Sequence, residues 1–166
     1  MTRKLTRCAL FAALMAPCAW ISLPLGHTVF TMQTFGVLLT LGLLGGKRGT
    51  VSILCYLLLG AAGLPVFSTF RGGIGAILGP TGGYLWGFLA TGLVYWMLEK
   101  WSRPAAMAAG LAACYACGTI WYMTYTGGAL AAVLVQTVLP YLIPDALKLI
   151  LALRLTKRLK KYSTAL

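Results

Sequence analysis

Long apolar stretches alternate with short polar or glycine-rich breaks along the whole chain. We interpret six of these stretches as membrane-spanning helices, each of which needs about 20 predominantly apolar residues. They lie at residues 5–23, 33–46, 50–64, 84–98, 104–123 and from about 144 into the C-terminal tail. A further apolar stretch at 129–142 is interrupted by Gln136 and Pro140, which favours a short outer helix or a dip into the membrane. The pattern predicts an all-α, polytopic membrane protein with six transmembrane helices in a single domain, residues 1–166.

Composition and the placement of charge agree with this prediction. The chain is 60% hydrophobic and only 10% charged, whereas soluble proteins carry about 25% charged residues. Twelve of the fourteen basic residues lie at the termini or in two breaks, as expected for segments kept in the cytoplasm. They are Arg3, Lys4, Arg7, Lys47, Arg48, Lys100, Arg103, Arg154, Lys157, Arg158, Lys160 and Lys161. We therefore expect both termini to be cytoplasmic, and we attribute the net charge of +12 to topology and not to nucleic-acid binding.

The first helix carries small residues at four-residue spacing. Ala9 and Ala13 share one face, and Ala12 and Ala16 share a neighbouring one. Such spacing allows close approach of a second helix in lipid. The residues alone leave open whether that helix belongs to the same chain or to a partner. The first 20 residues also resemble a signal peptide, but the apolar segments that follow favour an uncleaved helix.

Metal and catalytic chemistry find little support in this sequence. The five cysteines lie within apolar runs, and the Cys114-x-x-Cys117 pair has no neighbouring histidine or second pair, so packing is the favoured interpretation. The one histidine, His27, falls in a predicted loop. The glycine-rich turn at 45–49 lacks the spacing and the Lys-Ser/Thr ending of a phosphate loop. We expect no catalytic residue, no metal site and no nucleotide site in this chain.

Residues 65–83 form the first unusual stretch, because they are rich in glycine and proline. Non-helical backbone at membrane depth is tolerated only where it is buried in protein or lines a cavity. Glycines also let the backbone approach a ligand closely. Arg71 lies in this stretch, on the outer side of the predicted topology. We favour a ligand-binding loop over an ordinary external loop with an interfacial arginine.

Asp145 and Lys148 form the second unusual feature, because they place an acid and a base three residues apart in an apolar segment. Residues three apart lie on one face of a helix, and an ionisable residue in mid-membrane costs roughly 2.5–3.5 kcal/mol on insertion scales. We predict that the pair binds a ligand. Two alternatives remain: Asp145 could cap a helix that begins near Pro144, or Lys148 could neutralise it as a buried pair. Gln33 and Thr34, at the start of the second helix, could either cap it or reach over a pocket.

The sequence as a whole resembles the biotin-specific substrate-binding (S) components of energy-coupling factor (ECF) transporters, the BioY family. The Gly79-Pro80-Thr81-Gly82-Gly83-Tyr84 stretch together with the Asp-x-x-Lys pair is its most specific feature. Weaker features follow in order along the chain. They are the alanine-rich stretch 9–16, Thr31-Met32-Gln33-Thr34-Phe35, Lys47-Arg48-Gly49, the segment 60–67 and the segment 140–148. In one departure, Pro144 directly precedes Asp145, where relatives usually have a glycine between them.

The resemblance implies a six-helix S component of the cell membrane that captures biotin from outside and uses no cofactor. It implies assembly with a transmembrane coupling subunit and two ATPases, with Ala9 and Ala13 in the docking face. The implied ligand-binding residues are Asp145, Lys148, Arg71, Gln33, Thr34, Thr81 and Tyr84. Two rivals of other classes are a stand-alone secondary transporter of a small organic anion, with Asp145 as proton carrier, and an intramembrane enzyme using Asp145 and Lys148 as an acid–base couple.

Overall fold

Eight α-helices and one two-stranded hairpin make up the part of the chain described by the computed structural model, residues 2–25 and 28–163. The helices are α1 Thr2–Trp20, α2 Gln33–Leu44, α3 Gly46–Ala61, α4 Ile74–Leu78, α5 Gly82–Leu98, α6 Arg103–Thr126, α7 Leu130–Thr137 and α8 Leu139–Ser163. A 3-10 turn, Ser68–Phe70, lies between α3 and α4. The predicted helical fold is confirmed, and the six predicted spans correspond in order to α1, α2, α3, α5, α6 and α8.

The segment after the first helix differs from the prediction. Helix α1 ends at Trp20 and not at residue 23, and an antiparallel hairpin follows, formed by β1 (Ser22–Leu25) and β2 (Thr28–Thr31). Met32 N–H donates to the Ile21 carbonyl at 3.0 Å, which extends the pairing by one step. The two strands, Ser-Leu-Pro-Leu and Thr-Val-Phe-Thr, do not show the strict alternation of apolar and polar residues that identifies a strand in sequence. His27, which we expected in a loop, lies outside the described residues.

The break between α2 and α3 is a single residue and not the predicted turn at 45–49. Gly45 has φ +79°, which glycine adopts without steric cost, and α3 begins at the next residue. Lys47, Arg48 and Gly49 therefore lie in the first turn of α3. The carboxylate of Glu99, at the end of α5, accepts the N–H of Gly46 at 2.9 Å and satisfies one of the unpaired donors at this helix start.

The last helix also begins earlier than predicted. Helix α8 starts at Leu139 and continues through Pro144, so the expectation that it begins near Pro144 is wrong. Proline lacks the backbone N–H and so removes only one helical hydrogen bond. At Pro144 the missing bond is the one to the carbonyl of Pro140, in the first turn of the helix. Asp145 therefore lies beyond the first turn and is not a capping acid. Helix α7 confirms the predicted short helix before it and meets α8 at a bend of 45°.

The packing leaves apolar side chains on the outside of the bundle. Helices α5 and α6 share the most extensive contact of any helix pair. Gly87 allows close approach there, because a Cβ at this position would lie only 2.8 Å from the Cys114 sulfur. By length and hydropathy, α6 can span a membrane alone, and α7 with α8 can do so as one bent pair. Helices α2, α3 and α5 have 12, 16 and 17 residues. Large apolar side chains exposed on the helices include Leu54, Leu58, Leu93, Trp96, Leu147 and Leu151. An exposed apolar surface of this kind is suited to contact with a membrane or with a partner protein.

Glu99→Gln tests the contact between α5 and α3. We expect the free energy of unfolding to fall by about 0.5–2 kcal/mol. The substitution removes the Glu99 negative charge from the N-terminus of α3, where Gly45 provides no side-chain cap. Thermal unfolding of the purified protein measures the change, and Lys100→Gln, at the neighbouring exposed position, is the control. An unchanged melting temperature in Glu99→Gln would show that this contact contributes nothing to stability.

Candidate functional site

A cavity of about 320 Å³ lies at the end of the bundle where the hairpin, the 65–81 segment and α7 meet. Its walls come from β2, α2, α5, α6 and α8, together with the 3-10 turn and α4. All seven predicted ligand-binding residues line it: Gln33, Thr34, Arg71, Thr81, Tyr84, Asp145 and Lys148. The fold thus brings together side chains that are up to 115 positions apart in sequence, between residues 33 and 148.

Asp145 and Lys148 form a buried ion pair in the wall of this cavity. The Lys148 Nζ donates to Asp145 Oδ1 at 2.7 Å, and each residue exposes only 5% of its surface. Lys148 also donates to the backbone carbonyl of Thr31 at 2.6 Å, and its Nζ lies 3.9 Å from the centroid of the Phe30 ring. A buried charge needs such partners, because an unpaired one costs several kcal/mol. The pair is therefore neutralised internally and also faces the cavity, so the two interpretations of Lys148 are compatible.

Tyr115 completes the surroundings of the carboxylate. Its hydroxyl, on α6, donates to Asp145 Oδ2 at 2.5 Å. Each carboxylate oxygen thus accepts one hydrogen bond from the protein and keeps capacity for another. Sequence reasoning missed both Tyr115 and Phe30, because an aromatic residue in an apolar run looks like packing. The one available signal was the Tyr115 hydroxyl itself, inside an otherwise apolar segment of α6.

Gln33 lies deep in the site and does not cap α2. It is 4% exposed, and its Nε2 donates to the Tyr56 hydroxyl at 2.7 Å, which in turn donates to the Val66 carbonyl at 2.8 Å. The Thr31 hydroxyl, and not Gln33 or Thr34, accepts the N–H of Gln33 at the start of α2. The capping interpretation of Gln33 and Thr34 is therefore wrong. These contacts connect α2, α3 and the 65–81 segment around the cavity.

Arg71 lies at the rim of the cavity in extended backbone and is exposed. Lys148–Asp145 is the one ion pair in residues 2–25 and 28–163, so the Arg71 guanidinium has no acidic partner there. The preceding turn has positive φ at Thr69 (55°) and Phe70 (57°), which non-glycine residues rarely adopt. The Phe70 ring stacks on Trp20 with centroids 5.1 Å apart. A free positive charge at the mouth of the cavity is suited to an anionic group.

Thr81 and Tyr84 lie at the start of α5. Thr81 is exposed at the N-cap, and the Tyr84 hydroxyl donates to the Thr137 carbonyl at 3.4 Å. Apolar side chains fill the wall between these residues and the ion pair. They are Val29, Phe67, Leu85, Phe88 and Leu111. The cavity thus combines a charged pair, an apolar wall and a cationic rim, the mixture that orients a small amphipathic ligand.

The two alanine faces of α1 have different surroundings. Ala12 and Ala16 are buried in the core, at 2% and 6% exposure, whereas Ala9 and Ala13 are exposed. Intramolecular packing therefore uses Ala12 and Ala16, and the Ala9/Ala13 face remains open. Elsewhere in the described residues, no three His, Cys, Asp or Glu side chains group together as metal ligands.

A helical bundle with apolar side chains on its outer surface and an amphipathic cavity at one end is the architecture expected of a membrane-embedded substrate-binding protein. The chain belongs to the BioY family, whose sequence profile matches residues 1–165. The biotin transporter BioY of Thermotoga maritima is 41% identical over 164 residues, which cover 96% of each chain. The probable biotin transporter BioY of Pyrococcus horikoshii is 38% identical over 158 residues, 95% of this chain and 96% of that one.

A solved structure has the same fold. The crystal structure, at 2.1 Å, of the S-component for biotin from an ECF-type ABC transporter superposes with a TM-score of 0.89. It is 28% identical, and the match covers 96% of this chain and 92% of that one. The arrangement of helices that builds the cavity is therefore that of an S component.

Proposed function

We propose that this protein is the biotin-binding S component of an ECF transporter and mediates biotin uptake. The observation that carries the proposal is the cavity of this BioY-family chain. It is lined by the Asp145–Lys148 pair, by an apolar wall and by Arg71 at its rim. Its volume of about 320 Å³ falls at the lower end of the roughly 300–1,000 Å³ of small-molecule sites.

Biotin offers chemically matching groups in the same order. Its cyclic urea has two N–H donors and one carbonyl acceptor, its fused sulfur ring is apolar, and its side chain ends in a carboxylate. One urea N–H group would donate to Asp145, which retains acceptor capacity beside its bonds to Tyr115 and Lys148. The urea carbonyl would accept from the third N–H of Lys148, and the carboxylate would lie toward Arg71. This orientation places the charged end of biotin at the cavity mouth, where water remains accessible.

We infer that the protein is a multi-pass component of the cytoplasmic membrane with both termini in the cytoplasm. The hairpin, Arg71 and the cavity lie at one end of the bundle, and Gly45 and Glu99 at the other. The basic clusters at 47–48 and 100–103 lie at that second end, as the positive-inside rule requires of a cytoplasmic surface. The cavity would then open to the outside.

Assembly with a transmembrane coupling subunit and two ATPases would supply the energy for translocation. The open Ala9/Ala13 face of α1 is the surface on which we place the coupling subunit, because small residues allow close helix approach in lipid. ATP is hydrolysed by the partners, and biotin is the substrate without any cofactor. An intramembrane enzyme is disfavoured, because the relatives that this chain matches are named biotin transporters and its structural neighbour is a transporter S-component.

The proposal predicts that the purified protein retains biotin. Native mass spectrometry after purification in detergent, without added ligand, is expected to show a mass increase equal to one biotin, and titration of ligand-free protein is expected to saturate at one site. A protein that neither retains nor binds biotin would contradict the assigned substrate. Uptake by proteoliposomes separates the transport mechanisms: dependence on ATP and on the coupling module supports the S component, whereas dependence on a pH gradient supports a secondary transporter with Asp145 as proton carrier.

A further inference from the structure

The Tyr115–Asp145 hydrogen bond connects two parts of the bundle that otherwise touch little. Helix α6 packs chiefly on α5, and α8 packs chiefly on α2, while α6 and α8 make few contacts with each other. Tyr115 is on α6 and Asp145 is on α8, and their 2.5 Å contact crosses this gap beside the cavity. The hydrogen bond therefore holds the carboxylate relative to the wall formed by α5 and α6.

The orientation of the Asp145 carboxylate is set by two donors on opposite oxygens. Lys148 donates to Oδ1 and Tyr115 donates to Oδ2, so rotation about the bond to the carboxylate would break one contact or both. The terminal torsion of aspartate is otherwise broad. Lys148 is itself restrained by the Thr31 carbonyl and the Phe30 ring. Among the residues that the structure describes, Tyr115 is consequently the one hydrogen-bond donor to Asp145 from a helix other than its own.

We propose that Tyr115 is a positioning residue for ligand recognition, which acts by orienting Asp145 so that its remaining acceptor capacity is directed at one N–H of a cyclic urea. The inference rests on the proposed biotin-binding function. Because the carboxylate is already held in the binding orientation, ligand binding does not incur the entropic cost of ordering it. The affinity therefore rises without a new ligand contact. The ligand class favoured by this arrangement carries an N–H donor next to a carbonyl acceptor, which match Asp145 and Lys148 respectively.

Tyr115→Phe keeps the ring and removes the donor, so it tests the proposal directly. We expect the dissociation constant for biotin to rise about tenfold, since the lost bond is charge-assisted and roughly twice as strong as a neutral one. The decisive measurement is a double-mutant cycle with Asp145→Asn. If Tyr115 acts through Asp145, Tyr115→Phe changes affinity by less than about twofold in the Asp145→Asn background, because coupled residues are not additive.

Tyr125→Phe is the matched control, because Tyr125 is an exposed tyrosine on the same helix and lies outside the cavity. It should bind like the wild type in both backgrounds. Binding is measured with radiolabelled biotin in isolated membranes, so that reduced stability in detergent does not obscure the result. Equal losses from Tyr115→Phe in the two backgrounds, or wild-type affinity in Tyr115→Phe, would overturn the positioning role. Wild-type membranes that bind no biotin would instead overturn the proposed function.

Discussion

Replacement of Lys148 by methionine is expected to weaken biotin binding at least about tenfold, because a hydrogen bond to a charged group is worth about 1.5–3 kcal/mol. Methionine keeps the length and most of the volume of the side chain. The variant loses the donor to the ligand and the bond to the Thr31 carbonyl, and it leaves Asp145 buried without its cation. Breaking a buried pair in this way costs about 3–5 kcal/mol of folding free energy, so thermal stability without ligand should fall as well.

The two effects of Lys148→Met can be separated. In the double variant Asp145→Asn with Lys148→Met the buried charge is gone, so stability without ligand should recover relative to the single variant, while affinity should not. Titration calorimetry and thermal unfolding of the same preparations measure the two quantities. Lys100→Met, at an exposed lysine on the opposite end of the bundle, is the control. Near-wild-type affinity in both Lys148→Met and Asp145→Asn would refute the assignment of the pair to the ligand site.

Ala9→Trp is expected to abolish stable assembly with the coupling subunit while biotin affinity stays within about twofold of the wild type. Ala9 is exposed on α1 and does not line the cavity. A bulky side chain at a small-residue contact prevents the close helix approach on which association in lipid depends. Co-purification of the tagged chain with the coupling module measures assembly, and a binding titration on the isolated chain measures affinity.

Leu54→Trp provides the comparison for Ala9→Trp. Leu54 is a similarly exposed residue on the outer surface of α3, so tryptophan there tests the effect of bulk on a lipid-facing helix outside the proposed docking face. We expect its assembly to be unchanged. Undiminished co-purification of Ala9→Trp would remove the Ala9/Ala13 face from the docking surface. Loss in both variants would point to a general effect of bulk on the bundle surface.

The sequence was sufficient to predict those cavity residues that are unusual for their position in a membrane segment. Asp145 and Lys148 stood out because charge in an apolar helix is expensive, and Arg71 because it interrupts a glycine-rich stretch. The structure places all three on one cavity. Tyr115 and Phe30 could not be identified in the same way, since a tyrosine or phenylalanine in an apolar segment is unremarkable until its neighbours are known. Their roles depend on contacts between elements far apart in sequence.

The boundaries of elements were predicted less well than the order of the six long helices, for local physical reasons. The α2–α3 break is confined to Gly45, because one positive φ is enough to reverse the chain, and the basic residues after it are helical. Pro144 suggested a helix start, but a helix tolerates proline where only one hydrogen bond is lost. The hairpin was missed because neither strand alternates apolar and polar residues. In each case the contacts made by the folded chain determine where the element begins or ends, which the local sequence pattern does not specify.

The contact between Lys148 and the hairpin has a consequence for how this protein is made. The hairpin near the N-terminus is held by a side chain 117 positions later, in the final helix. During synthesis this lysine emerges after every other residue that lines the cavity, so the hairpin has no cation partner until α8 has been made as far as Lys148. The acceptor at Thr31 is a backbone carbonyl, which no substitution of the Thr31 side chain removes. The cavity therefore cannot close before Lys148 has been translated, and a side-chain scan of position 31 would not reveal the contact on which this closure depends.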